Sequence, residues 1–245
     1  MNLKKNFFID NIKTIIYALL IAVFIRSIFF QPFFIPSSSM EPNLLVGDRL
    51  FVSKYTYGYS RHSFPFSPNL FSKRLLSKYP TRGDIVVFKT PADNRTDYIK
   101  RLVGLPVDEI QITDGNLFLN GQKVKRNKIN LSTQIKCGDE NINVDAYEEV
   151  LPNEVSYIAV YRKNGSMQNS DLYKVPENHY FFLGDNRDCS KDSRYLNSVG
   201  YVSFVNLVGK ARIIFFSNDK EKGNLLKIWK WGDIIRTDRF LKTIK

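Results

Sequence analysis

The sequence predicts a mainly β protein, an antiparallel β-sheet domain carried on one N-terminal transmembrane helix. Three observations predict it. Short β-branched and aromatic runs recur through the middle of the chain, and none keeps a helical period. Phe and Tyr number 19 and 13, a composition that leans toward strands. The one long uncharged apolar stretch stands near the start. With 43 % hydrophobic and 24 % charged residues, the 245-residue chain has an ordinary globular mix, enough for one sizeable core.

The anchor comes first. Residues 14–25 carry no charge, and Lys13 and Arg26 at either end can snorkel to lipid headgroups. With residues 7–9 and 28–30 added, the apolar length reaches the roughly 20 residues that span a bilayer. This places a transmembrane helix over residues 8–30, within an anchor segment of residues 1–31. A cleavable leader needs small residues after its apolar run, whereas Phe29, Phe30, Phe33 and Phe34 stand there, so the anchor is expected to stay. Lys4, Lys5 and Lys13 put the N-terminus in the cytoplasm by the positive-inside rule, and the body outside.

The body spans residues 32–217. Pro32 and Pro36 end the helix. Strands are expected at 49–53, 84–89, 98–103, 109–113, 116–120, 155–162, 180–183, 200–205 and 211–216. Asp114-Gly115 is a strong two-residue hairpin signal between two of them. Residues 60–80 and 125–149 read as surface insertions. The basic tail, 218–245, carries Trp229 and Trp231, and suits either an interfacial amphipathic helix or a solvated terminus.

The net charge of +12 fits an acidic partner, nucleic acid or an anionic membrane face, or simply a basic proteome. The two histidines, His62 and His179, form no HExxH motif, and no Cys/His cluster or GxSxG occurs, so zinc and histidine-based hydrolysis are poorly provisioned. Cys137 and Cys189 lack metal-ligand spacing and cannot form a disulfide framework; one bridge between them is possible, although nothing in the sequence supports it.

Three segments carry candidate chemistry. Ser37-Ser38-Ser39, bounded by Pro36 and Pro42, is forced into a loop where the chain leaves the bilayer, by itself a weak signal. A nucleophilic serine needs a base, and with histidine scarce a desolvated lysine can serve. Lys100 lies in the strand pattern Tyr98-Ile99-Lys100-Arg101-Leu102-Val103, with Leu102 on its face and Ile99, Arg101 and Val103 on the other. Spacing alone leaves open whether it points inward or into solvent. Residues 184–195 (GDNRDCSKDSRY) alternate carboxylates and arginines closely enough to pair, as a scaffold beside a site would.

Together these segments resemble bacterial type I signal peptidases, over about residues 21–217. Five blocks stand in the family's order: 35–57 (IPSSSMEPNLLVGDRLFVSKYTY), 82–89 (RGDIVVFK), 97–108 (DYIKRLVGLPVD), 184–195 and 209–217 (GKARIIFFS). The resemblance implies a membrane-bound serine endopeptidase in which Ser39 is the nucleophile and Lys100 the general base. Ser37 would line the oxyanion hole and Ser190 would orient the lysine. Asp185, Arg187, Asp192 and Arg194 would form the supporting salt bridges, and Phe33, Ile35, Pro36, Met40, Leu44, Tyr98 and Ile99 would bind substrate.

It further implies cleavage of secretory preproteins after a small residue, in an Ala-x-Ala type of site, with no metal and no cofactor. The expected place is the bacterial inner membrane with a periplasmic catalytic domain, the bilayer and its anionic phospholipid being the second partner and nucleic acid not a partner. Other readings are a related Ser–Lys processing peptidase with a dedicated substrate, or a non-enzymatic membrane-tethered binding module. Val107 stands where the family's turn has glycine, which leaves that turn open. Cys189 places a thiol beside the site, and paired cysteines like those some relatives carry are not evident.

Overall fold

The computed structural model describes residues 2–69, 72–138, 140–223 and 226–244. Helix α1 (Asn2–Ile28) stands away from the body, and its apolar window Asp10–Ile28 is almost bare of protein contacts. Ile15, Tyr17, Leu19, Leu20 and Phe24 are all exposed, an arrangement that lipid satisfies and water does not. The helix stops two residues short of the expected span. Pro32 biases Gln31 toward extended backbone, and the chain enters a strand at Phe30.

Fifteen strands follow in the described residues. They are β1 (Phe30–Phe34), β2 (Asp48–Ser53), β3 (Ile85–Lys89), β4 (Asp97–Gly104), β5 (Glu109–Thr113), β6 (Asn116–Leu119), β7 (Gln122–Lys123) and β8 (Lys125–Cys137), then β9 (Glu140–Val150), β10 (Ser156–Arg162), β11 (Tyr173–Lys174), β12 (His179–Leu183), β13 (Val202–Ser203), β14 (Leu207–Ser217) and β15 (Lys242–Thr243). The main sheet runs β1-β2-β14-β3-β4-β12-β13, with β15 added on β14. Smaller sheets are β10-β9-β8 and β11-β5-β6-β7, and every ladder is antiparallel. Asp114 and Gly115 both take positive φ, 49° and 67°, the two-residue turn that joins β5 to β6.

The main sheet curls enough that β1 and β4 contribute to one core. Ile35, just past β1, packs with Met40, Leu44, Leu50, Val52, Ile85 and Val87, and half-buried Phe33 and Ile99 close over the same cluster. Strands β1 and β4, four places apart in the sheet order, thus face one another across an apolar floor. Each offers an unpaired edge among the described residues. Strand β1 pairs only with β2, and β12 reaches β4 only at Arg101, Leu102 and Gly104, leaving the edge at Tyr98, Ile99 and Lys100 open.

Three expectations need correction. Residues 125–149 are not a loose insertion. They form the long hairpin β8–β9, whose alternating Ile142, Val144 and Ala146 bury against Ile135 and Val160. The tail forms neither an interfacial helix nor a free terminus. Its only α-helix among the described residues is one turn, Trp231–Ile234, and the segment folds back through β15, buried Ile234 and an Arg239–Asp48 ion pair at 2.6 Å. Cys189 is not a free thiol. It is bonded to Cys137 with a Cα–Cα distance of 5.6 Å, which ties the hairpin end to the 184–195 loop. Sequence spacing cannot reveal this pairing, because the hairpin that brings the two sulfurs together is itself a tertiary outcome.

Candidate active site

Ser39 sits in the single 3-10 turn Ser38–Met40, which the chain makes directly after β1 and Pro36. The turn is held from both sides. Leu44 N–H donates to Met40 O at 2.9 Å, and Asn186 donates from its backbone N–H to Ser39 O and from Nδ2 to Ser38 O, at 3.1 and 3.3 Å. Gly184 makes the approach possible. A Cβ there would lie 2.2 Å from Ser190 Oγ and 2.6 Å from Ser39 O, so no larger residue fits.

Lys100 enters from β4. Its Nζ lies 2.6 Å from Ser39 Oγ, donates to Ile99 O at 3.1 Å, and stands 5.4 Å from the Tyr98 ring centroid. Lys100 is 3 % exposed and Ser39 6 %. Burial depresses the Lys100 ammonium from 10.5 to about 8, against the opposing pull of the Asp192 and Asp185 carboxylates. This is the environment that lets an amine take a hydroxyl proton near neutral pH. Ser37 Oγ lies 3.4 Å from Ser39 Oγ at the exposed side of the turn. Ser190 Oγ is buried nearby beside the Asp192 carboxyl, which it helps hold down, and makes no bond to Lys100.

The charged loop pairs differently from its own alternation. Arg194 and Asp192 join each other at 2.8 and 2.9 Å, and Asp192 also accepts from Gly184 N–H at 2.9 Å. Asp185 instead takes a bidentate pair from Arg101 of β4 at 2.8 Å, with Asn43 Nδ2 at 2.7 Å on its other side. Arg187 pairs with Glu149 of β9 at 2.6 and 2.9 Å, with the Tyr157 and Tyr161 hydroxyls donating to the same carboxylate. These arginines hold the Glu149 and Asp192 carboxyls below their usual range in spite of burial. The network ties β4, β9 and the loop into one frame around the Lys100–Ser39 pair. Glu149 and the partnership of Arg101 were missed in the sequence. The alternation of Ile142, Val144 and Ala146 would have marked the β9 strand that delivers Glu149.

Ile35, Met40 and Leu44 lie in the buried core beneath the serine turn, while Phe33, Tyr98 and Ile99 are half-buried and Pro36 is exposed. The half-buried set borders the groove between β1 and β4. No group of three or more His, Cys, Asp or Glu side chains with metal-holding geometry occurs among the described residues.

Residues 8–216 match the family model for signal peptidase, peptidase S26. The chain belongs to this family. It is therefore a serine peptidase of the signal peptidase type. The signal peptidase I of Rickettsia typhi is 40 % identical over 93 % of this chain and 90 % of its own, and that of Rickettsia bellii is 37 % identical over 95 % and 84 %. A solved signal peptidase I from Enterococcus faecalis V583 is 28 % identical, covering 54 % of this chain and 97 % of its own, at a TM-score of 0.33. Within the family, the apolar bare helix α1 fits a membrane-anchored member.

Proposed function

We propose that this peptidase removes N-terminal signal peptides from secretory preproteins, with Ser39 as nucleophile and Lys100 as general base. One observation carries the reading, the 2.6 Å contact between Lys100 Nζ and Ser39 Oγ inside a buried pocket. Neutral Lys100 takes the Ser39 proton as Oγ attacks the scissile carbonyl. The developing oxyanion meets the Ser39 backbone N–H and the Ser37 hydroxyl, donors of a kind typically worth about 3–4 kcal/mol each. Protonated Lys100 then delivers its proton to the leaving amine, the new N-terminus of the mature chain. It next activates water against the acyl-enzyme, which releases the signal peptide as a free acid.

The open edges of β1 and β4 support an extended substrate lying between them, with backbone ladders on each side and side chains alternating toward the apolar floor. The floor is shallow because Ile35, Met40 and Leu44 are already packed together, which favours a small residue before the cut. Helix α1 spans the inner membrane with its basic start in the cytoplasm, and the catalytic body rests at the periplasmic surface, where a signal peptide ends its own apolar run. Exposed Phe29, Phe30 and Phe34 suit that interface.

The test uses detergent-solubilised full chain and a preprotein with an Ala-x-Ala site. Wild type releases the mature chain, while Ser39→Ala and Lys100→Met fail although both stay folded. A Lys100→Met variant that still cuts would remove lysine from the mechanism. A wild type that does not cut would reject the function.

A further inference from the structure

A second cavity, of about 540 Å³, opens beside the anchor and away from the serine turn. Its lining includes the cations Arg26, Lys54, Arg61, Lys89 and Arg95, together with Gln31 and the carboxylates Asp93 and Asp97. Arg26 belongs to the last turn of α1 and Gln31 to β1, so the cavity lies at the level where the helix leaves its apolar stretch.

The carboxylates there are already engaged. Asp97 pairs with Lys89 at 2.9 Å, and Asp93 accepts from the Arg95 and Thr96 backbone N–H groups and the Thr96 hydroxyl of its own turn. Arg26, Lys54, Arg61 and Arg95 have no carboxylate within ion-pair distance among the described residues. Lys54 is the most telling. It is 2 % exposed, its Nζ has only the Ser63 carbonyl as hydrogen-bond partner, and burial together with the nearby Arg26 charge depresses it to about 8 against a partial opposing pull from Asp97. A buried ammonium facing other cations is an unfavourable arrangement that an anion in the cavity would relieve.

Part of the lining is apolar. Phe64, Pro65 and Phe66 also line the cavity, and Phe66 is fully exposed at a positive φ of 61°, a conformation costly for a bulky side chain. A ligand with an anionic head and an apolar body answers both halves of the site. A free anion answers only the cations.

We propose that this cavity binds the phosphate headgroup of an anionic phospholipid of the outer leaflet, with the Phe64–Phe66 loop resting among its acyl chains. The proposal rests on the reading that α1 spans the bilayer. It adds one defined lipid site at the foot of the anchor, distinct from diffuse attraction by the +12 charge. A lipid held there fixes the height of the body above the membrane.

The full chain is reconstituted into phosphatidylcholine nanodiscs doped with phosphatidylglycerol, and the lipid retained after transfer to detergent is counted by native mass spectrometry. Wild type is expected to retain phosphatidylglycerol in preference to phosphatidylcholine. Arg61→Ala with Arg95→Ala should weaken that retention about fivefold for each cation removed. Lys227→Ala with Lys230→Ala, which removes the same charge outside the cavity, should leave it unchanged. Equal loss in both double variants would mean diffuse attraction and overturn the site. Displacement of the lipid by excess inorganic phosphate would make it a site for soluble phosphate and overturn the lipid assignment. Alkaline extraction reads the anchor separately. A wild type released by alkali would sink the spanning-helix reading and the site with it, whereas firm insertion with equal retention in every variant would sink the site alone.

Discussion

Replacing Lys100 by Met should abolish cleavage and at the same time make the protein more stable at pH 7. Burial pulls the Lys100 ammonium from 10.5 down to about 8. Each tenfold change in proton affinity is about 1.4 kcal/mol, so holding the protonated lysine in the folded site costs about 3 kcal/mol at neutral pH. Methionine has nearly the same length and no charge to desolvate. It also loses the hydrogen bonds to Ser39 Oγ and Ile99 O, worth about 1 kcal/mol each. The net gain is about 1 kcal/mol, which for a chain of this size raises the melting temperature by roughly 2–4 °C.

The pH dependence has a fixed sign. The folded site binds its proton less tightly than the unfolded chain does, so the cost is present in full below about pH 8. It disappears as the pH rises from there to 10.5, where the unfolded chain loses the proton that the folded site has already given up. Melting curves of wild type and Lys100→Met in detergent, at neutral pH and near pH 10.5, read this directly. The two proteins should differ at pH 7 and converge at high pH. A variant that melts below wild type at pH 7, or a gain that persists unchanged to pH 10.5, would refute the claim that Lys100 is held in a strongly desolvating site.

Three further outcomes can be measured. The acid limb of kcat/KM should fall near pH 8 and lose about tenfold per pH unit below it, and a flat profile between pH 6 and 8 would exclude Lys100 as the base. Paired Cys137→Ser and Cys189→Ser changes open a loop closed across 52 residues, an expected loss of about 4 kcal/mol in denaturant unfolding, which reductant should reproduce in wild type alone. Glu149→Gln leaves the buried Arg187 without its counter-charge and should cost about 3–5 kcal/mol, while the double change with Arg187→Met should recover much of it.

Much of the architecture was legible in short-range pattern. The apolar run of α1, the turn chemistry of Asp114-Gly115 and most strands of the main sheet follow from hydrophobic period and turn residues, which are local properties. The β8–β9 hairpin escaped because its polar outward face hides a two-residue alternation that only packing against Val160 makes meaningful. Val107 shows the converse. Its side chain argues against a left-handed turn, yet the backbone there holds a φ of 64°, because Val107 N–H bonds to Val175 O and the neighbouring Asp108 binds Leu105 N–H.

For the site, the sequence by itself determined which groups were available. A serine cluster between prolines, a lysine in a strand and a loop of alternating charge came with almost no histidine to compete. The tertiary structure decided which of them meet. Lys100 lies 61 residues from Ser39 and touches it because the main sheet curls β4 back toward β1. Asp185 and Arg187 ignore their neighbours in the loop and reach to Arg101 and Glu149, and Cys189 finds Cys137 at the end of a hairpin. Charge pairing and desolvation depend on distance and burial in space, and neither is written in sequence spacing, so the chemistry of the lysine was settled only when the fold closed over it.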